Sequence, residues 1–192
     1  MDVRILARED KKYSDFWQNG YGGANWGRLA QVVLERASRN QRNIIDFGFG
    51  TGNSMQFFKD NCFYVEGVDI SSHAVGQASD FRVYNASLDD MSILRSGLFT
   101  YGFCNDVLEH MPERYIPKAL EEMARVCYGR LFLSVCPTPS HNLSLDGENL
   151  HLTVRPEEWW AEQISRIGSW ERIHFIFSRS LRYVVNLRKT DY

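Results

Sequence analysis

With 192 residues, 44% of them hydrophobic and 24% charged, the chain suits one globular domain over residues 1–192 with an ordinary core. A net charge of −2 without a basic run argues against a nucleic-acid surface. No apolar stretch approaches the roughly 20 residues of a membrane helix, and Met1 to Lys12 has no apolar signal core, so cytoplasmic residence without membrane insertion is the expectation. The four cysteines, Cys62, Cys104, Cys127 and Cys136, form no C-x-x-C pair; the reading is buried free thiols and no metal.

The first segment with character is Tyr13–Trp26, dense in aromatics with three glycines among them. Such rings are ordinarily core; beside glycines they also suit a mobile lid, and both readings stay open for Tyr13, Trp17, Tyr21 and Trp26. A helical period follows through Leu29, Val32 and Val33. Strands are expected at Asn43–Phe47, Phe63–Asp69, Phe81–Tyr84, Tyr101–Asn105 and Arg130–Cys136. Helices are expected at about Ser54–Lys59, His73–Ser79 and Glu113–Val126, with a weak turn near Asp89–Leu94. This alternation predicts an α/β domain with a mainly parallel sheet. A long polar stretch, Pro137 to Thr153, comes next. Pro156-Glu157-Glu158 then opens a helix carrying Trp159 and Trp160, one expected in the core and the other at the substrate mouth. Trp170–Phe177 and Leu181–Leu187, around Ser178-Arg179-Ser180, read as a closing β-hairpin.

Ile44-Ile45-Asp46-Phe47-Gly48-Phe49-Gly50-Thr51-Gly52 is an apolar strand ending in an acid, followed by glycines at alternate positions and then a helix. Residues without Cβ let the backbone turn sharply and let a ligand lie against it. The next strand also ends in an acid, Asp69, placed 23 residues after Asp46, a spacing that suits a carboxylate on a ribose diol. Asp69 equally suits an N-cap for the helix at Ser71 to His73. The glycine spacing differs from G-x-G-x-x-G, which disfavours an NAD-dependent oxidoreductase.

With Tyr101-Gly102-Phe103-Cys104-Asn105-Asp106-Val107-Leu108-Glu109-His110-Met111-Pro112, these motifs run in order across residues 40–136 and resemble the S-adenosylmethionine-dependent methyltransferases with the Rossmann-like fold. The resemblance implies a three-layer sandwich whose mainly parallel seven-stranded sheet ends in an antiparallel hairpin. It implies S-adenosyl-L-methionine as cofactor and a division into an N-terminal lid segment (1–26), a cofactor-binding core (40–136) and a substrate loop (137–153). It also assigns roles. Gly48, Gly50 and Gly52 face the ribose and methionine, Asp46 reaches the amino group, and Asp69 takes the ribose hydroxyls. Ile70 packs on the adenine, Asn85 and Ala86 meet its edge, Cys104 and Asn105 line the methionine side, and Tyr13 and Trp17 close over the cofactor. By the same resemblance His110 packs or hydrogen-bonds, and Glu109 serves the helix start.

Catalysis by in-line displacement requires positioning and, for some acceptors, a base. His151 and His141, in the polar stretch, are the candidate bases, weighed against ordinary surface histidines. The expected acceptor is a small molecule or glycan end methylated on oxygen. Alternatives are N-methylation of a small molecule or protein, and a non-catalytic cofactor-binding partner subunit. The sequence carries no reading of oligomeric state.

Overall fold

The structure, a computed structural model, describes residues 1–20, 26–144, 146–174 and 180–187. Tyr21, Gly22 and Gly23, the expected strand end Phe175–Phe177, and Ser178 and Arg179 of the expected hairpin turn lie outside the described residues.

The chain runs α1 (Val3–Gln18), α2 (Gly27–Arg36), β1 (Asn43–Phe47), α3 (Asn53–Asp60), β2 (Tyr64–Asp69), α4 (Ser72–Gln77), β3 (Arg82–Asn85), β4 (Phe99–Asn105), α5 (Ile116–Val126), β5 (Cys127–Val135), α6 (Glu157–Ser165), β6 (Gly168–Ile173) and β7 (Leu181–Leu187). Two short 3₁₀ turns, Leu108–His110 and Glu113–Tyr115, link β4 to α5. One seven-stranded sheet has the order β3-β2-β1-β4-β5-β7-β6. β3 through β5 are parallel, and β7 pairs antiparallel with both β5 and β6, so the expected hairpin closes the sheet.

The expected strands fall within two or three residues of the observed ones because each is a short apolar run between polar or glycine breaks. β1 and β4 are buried along almost their whole length, as central parallel strands covered on both faces must be. Alternation sorts their side chains into two cores. Ile45, Phe47 and Cys104 pack with α5 and α6 on one face; Ile44 and Phe103 pack with α2 and α3 on the other. α5 buries Ile116, Ala119, Leu120, Met123 and Val126, a single stripe at helical spacing.

Three elements differ from expectation. The N-terminal segment forms α1, 16 residues capped by Asp2, whose carboxylate accepts from the Arg4 amide. Its signal is Tyr13, Phe16 and Trp17 at one-face spacing, followed by Asn19-Gly20, with Gly20 at φ +78° closing the helix. The turn near Asp89–Leu94 is anchored rather than weak: Asp89 is buried, accepts from Ser87 Oγ and pairs with the Met1 ammonium. Trp160 is fully buried, but Trp159 packs edge-on against it rather than lining a substrate mouth.

Candidate functional site

The sheet order reverses between β1 and β4, and a crevice at the carboxyl ends of strands opens at such a switch point. A cavity of about 440 Å³ occupies it. Its floor comes from the loops after β1, β2 and β3, and its roof from Tyr13, Phe16 and Trp17 of α1 with Trp26. Its polar end comes from the segment after β4, joined by Cys136 and His151.

Gly48, Gly50 and Gly52 all have positive φ, +74°, +53° and +76°. A side chain at Gly48 would strike Val107 at 2.6 Å, and one at Gly50 would strike the Trp17 indole at 2.6 Å. The loop is held by Asp69. Its Oδ2 accepts from the Gly50 amide at 2.9 Å, and its Oδ1 accepts from the Ser71 amide at 2.8 Å. The cap of α4 is Ser71, whose Oγ accepts from the Ala74 amide, so the capping alternative for Asp69 is set aside. Asp46 accepts from Ser54 Oγ. Burial pushes Asp46 up to about 7, against the Ser54 hydrogen bond and with help from the Asp69 charge. Burial pushes Asp69 up to about 6, against the amides of Ser71, Gly50 and Ile70.

Of the sequence-predicted cofactor residues, Tyr13, Trp17, Asp46, Gly48, Gly50 and Asp69 line the cavity, together with Ile70, Ala86 and Asn105. Gly52, Cys104 and Asn85 do not line it. Gly52 is the N-cap of α3, and Cys104 points into the core on the α5 side. Asn85 is turned to the backbone: its Nδ2 donates to the carbonyls of Asp69 and Ile70, because β3 pairs with β2 in a register that sets Asn85 beside Asp69.

At the polar end, Glu109 sits in the first turn of the 3₁₀ segment Leu108–His110 and is fully buried. Its Oε1 accepts from the Cys136 amide at 2.8 Å, and its Oε2 has no hydrogen-bond partner among the described residues. Burial and the neighbouring Asp106 charge hold its carboxyl well above the usual range. His110 Nδ1 lies 3.1 Å from the Leu150 carbonyl and 3.0 Å from Tyr13 Oη; a carbonyl only accepts, so Nδ1 carries the hydrogen and Nε2 the lone pair. Burial, with the His151 and Lys12 charges, pushes His110 down to about 3. His151 Nδ1 is 2.5 Å from the Thr138 carbonyl, which fixes the same tautomer, and the two imidazoles meet edge-on with centroids 4.8 Å apart. Burial lowers the His151 pKa, but hydrogen bonds to Cys136 and Thr138 outweigh it and raise the net value. At Cys136 burial raises the pKa, but hydrogen bonds to His151 and Thr138, with the His151 charge, together outweigh it and lower the net value. Cys136 is therefore a half-buried cavity thiol rather than an inert core one, and Cys62 is exposed. His141 is exposed and outside the cavity.

The stretch after β5 is organised by Asn149, whose Oδ1 accepts from the Ser140 and His151 amides and whose Nδ2 donates to the Ser140 carbonyl. Thr153 ties it down, its amide to the Glu109 carbonyl and its Oγ1 to that of Met111.

A family model described as a methyltransferase domain matches residues 22–185. The chain belongs to the methyltransferase-domain family. This sets aside the nicotinamide-enzyme alternative. No curated protein sequence matches the methyltransferase. Its fold is similar to the solved 1,6-didemethyltoxoflavin-N1-methyltransferase of Burkholderia thailandensis, crystallised with 1,6-didemethyltoxoflavin and S-adenosylhomocysteine (TM-score 0.68, 15% identity, covering 97% of this chain and 88% of that one). It is also similar to magnesium protoporphyrin IX methyltransferase of Synechocystis PCC 6803 with bound S-adenosylhomocysteine (TM-score 0.68, 17% identity, covering 94% and 99%). At these identities the likeness concerns the fold.

Proposed function

We propose that this S-adenosylmethionine-dependent methyltransferase transfers the methyl group to an oxygen of a small hydroxylated molecule, a glycan end included. The observation that carries the acceptor reading is the polar end of the cavity. There His110 and His151 keep Nε2 lone pairs and Glu109 keeps an unpartnered oxygen, three acceptors for the protons of a hydroxyl-bearing ligand.

The residues fit the cofactor on three counts. The positive-φ glycine turn carries no side chain at Gly48 or Gly50, Asp69 stands at the neighbouring strand tip, and Asn105 Oδ1 is buried without a hydrogen-bond partner among the described residues. Asp69 would accept from the ribose hydroxyls, Ile70 and Ala86 would flank the adenine, and Asp46 and Asn105 would face the methionine amino group. When bound, the sulfonium supplies an electrophilic methyl group. Tyr13 and Trp17 on α1 would exclude water from above. His151 Nε2 would be the acceptor for the hydroxyl proton, its tautomer set by Thr138. Small-molecule acceptors named for the two solved neighbours support this size class.

The test is incubation with methyl-labelled cofactor and matched panels of small phenols, sugars and amines, with the product position read by NMR. A methyl ether is the expected product. Labelling confined to nitrogen or carbon would overturn the oxygen assignment.

A further inference from the structure

Among the described residues, one group of side chains stands at metal-ligand spacing: Glu109, His110 and His151, whose donor atoms all lie within 4.8 Å of one another. We propose that these three residues bind a divalent transition-metal cation at the acceptor end of the cavity, with positions left open for the acceptor's oxygen. The proposal rests partly on the reading of a hydroxylated acceptor, but the donor set argues for it independently.

Each imidazole is already in the state a metal requires. His110 gives Nδ1–H to the Leu150 carbonyl and His151 gives Nδ1–H to the Thr138 carbonyl. A backbone carbonyl behind a ligating histidine fixes the tautomer and the ring, so that Nε2 is presented as the donor. Glu109 shows the matching asymmetry: one oxygen is anchored by the Cys136 amide, and the other is buried without a hydrogen-bond partner among the described residues. A fully buried carboxylate oxygen without a donor is costly unless something cationic meets it. Here the donor atoms of Glu109, His110 and His151 stand within 4.8 Å of one another, close enough for a single cation to meet all three.

The ligands come from two places. Glu109 and His110 are adjacent in the 3₁₀ turn after β4, so their placement is fixed by the sheet. His151 belongs to the loop held by Asn149 and Thr153. A cation bonded at about 2.0–2.2 Å draws its donors inward, and the loop-borne His151 is the one that closes on it. Two nitrogens and one carboxylate on one side of the ion suit zinc, cobalt, manganese or iron in the divalent state better than magnesium or calcium, which prefer all-oxygen shells. With an ion in place, the His151 lone pair belongs to the metal, and the cation lowers the pKa of the acceptor hydroxyl so that its proton is released to solvent water as the acceptor binds.

The experiment uses the full chain, stripped with chelator, and titrates cobalt(II) and zinc(II) separately by visible absorption and calorimetry without acceptor. One equivalent is expected. His151→Ala, His110→Ala and Glu109→Gln are each expected to weaken binding at least tenfold. Unchanged binding of S-adenosylhomocysteine and an unchanged near-UV spectrum would certify that each variant is folded. No saturable binding of either ion, or equal affinity in wild type and all three folded variants, would overturn the proposal. Because acceptor is absent, this result is separate from the oxygen assignment: a protein that binds cobalt through these residues yet methylates only amines keeps the metal site and loses the acceptor reading.

Discussion

The Gly50 amide donates to Asp69 Oδ2 at 2.9 Å, so the acid at the tip of β2 shapes the glycine turn at the tip of β1. The carboxylate has two tasks: it sets the loop, and it is the candidate for the ribose. Asp69→Ala is therefore expected to weaken S-adenosylhomocysteine binding by about 1.5–3 kcal/mol, the range for hydrogen bonds to a charged group. Asp69→Asn, which keeps one acceptor oxygen, should lose less. Calorimetry on both variants checks this, and native affinity in Asp69→Ala would remove the ribose assignment.

Protons enter through the same pair of acids. Asp46 and Asp69 are raised to about 7 and about 6 by burial. Between the ordinary carboxylate range near ~4 and those values, the folded chain binds more protons than the unfolded one. The contribution to stability is then largest at the acid end and falls as pH rises toward 7. Under the proposed ribose assignment, in which the hydroxyls would donate to an ionised Asp69, cofactor binding should run the other way. Affinity should drop below about pH 6, by at most about tenfold per unit for this one group. Melting and titration series from pH 5 to 8 measure both, and Asp69→Asn should flatten each. Parallel pH slopes in the variant and the wild type would contradict the assignment.

At Gly50 the backbone has φ +53° and no room for a side chain beside Trp17. Gly50→Val should abolish S-adenosylhomocysteine binding, and the left-handed conformation alone should cost about 1–2 kcal/mol. Adding Trp17→Ala removes the clash but not the conformational strain, so the double variant should recover only part of the stability. Full recovery would show that crowding, not φ, is what excludes side chains there.

His141 and His151, both in the stretch after β5, should behave differently. His151→Ala should lower turnover roughly 10²–10⁴-fold with cofactor affinity nearly unchanged, whereas His141→Ala, altering an exposed residue outside the cavity, should leave turnover unchanged. A fully active His151→Ala enzyme would shift the source of catalysis to positioning alone.

What could be read from the sequence was whatever is decided locally. The β1–glycine–α3 turn announces itself because its conformation excludes side chains, and each parallel strand is a short apolar run with a polar break. The hairpin at the sheet's end followed for the same reason. The burial of Glu109 is not legible locally, because it depends on Cys136, which the pairing of β4 with β5 brings to it from 27 residues away. An acid enclosed by Leu108 and Met111 at a strand's ligand end was the available hint. Asn85 failed similarly, through its register with Asp69. Helix α1 is not legible although Tyr13, Phe16 and Trp17 carry the right period, because the glycines beyond them equally suit a mobile segment.

The indole of Trp17 fills the space in front of the Gly50 Cα. Any nucleoside that comes to lie along that face must wait for the ring to leave, so capture becomes a two-step event. Observed association rates should climb with ligand concentration and then level off at the frequency with which the indole swings aside. The emission of that same ring should report the moment of entry, giving the protein an internal clock for its own opening.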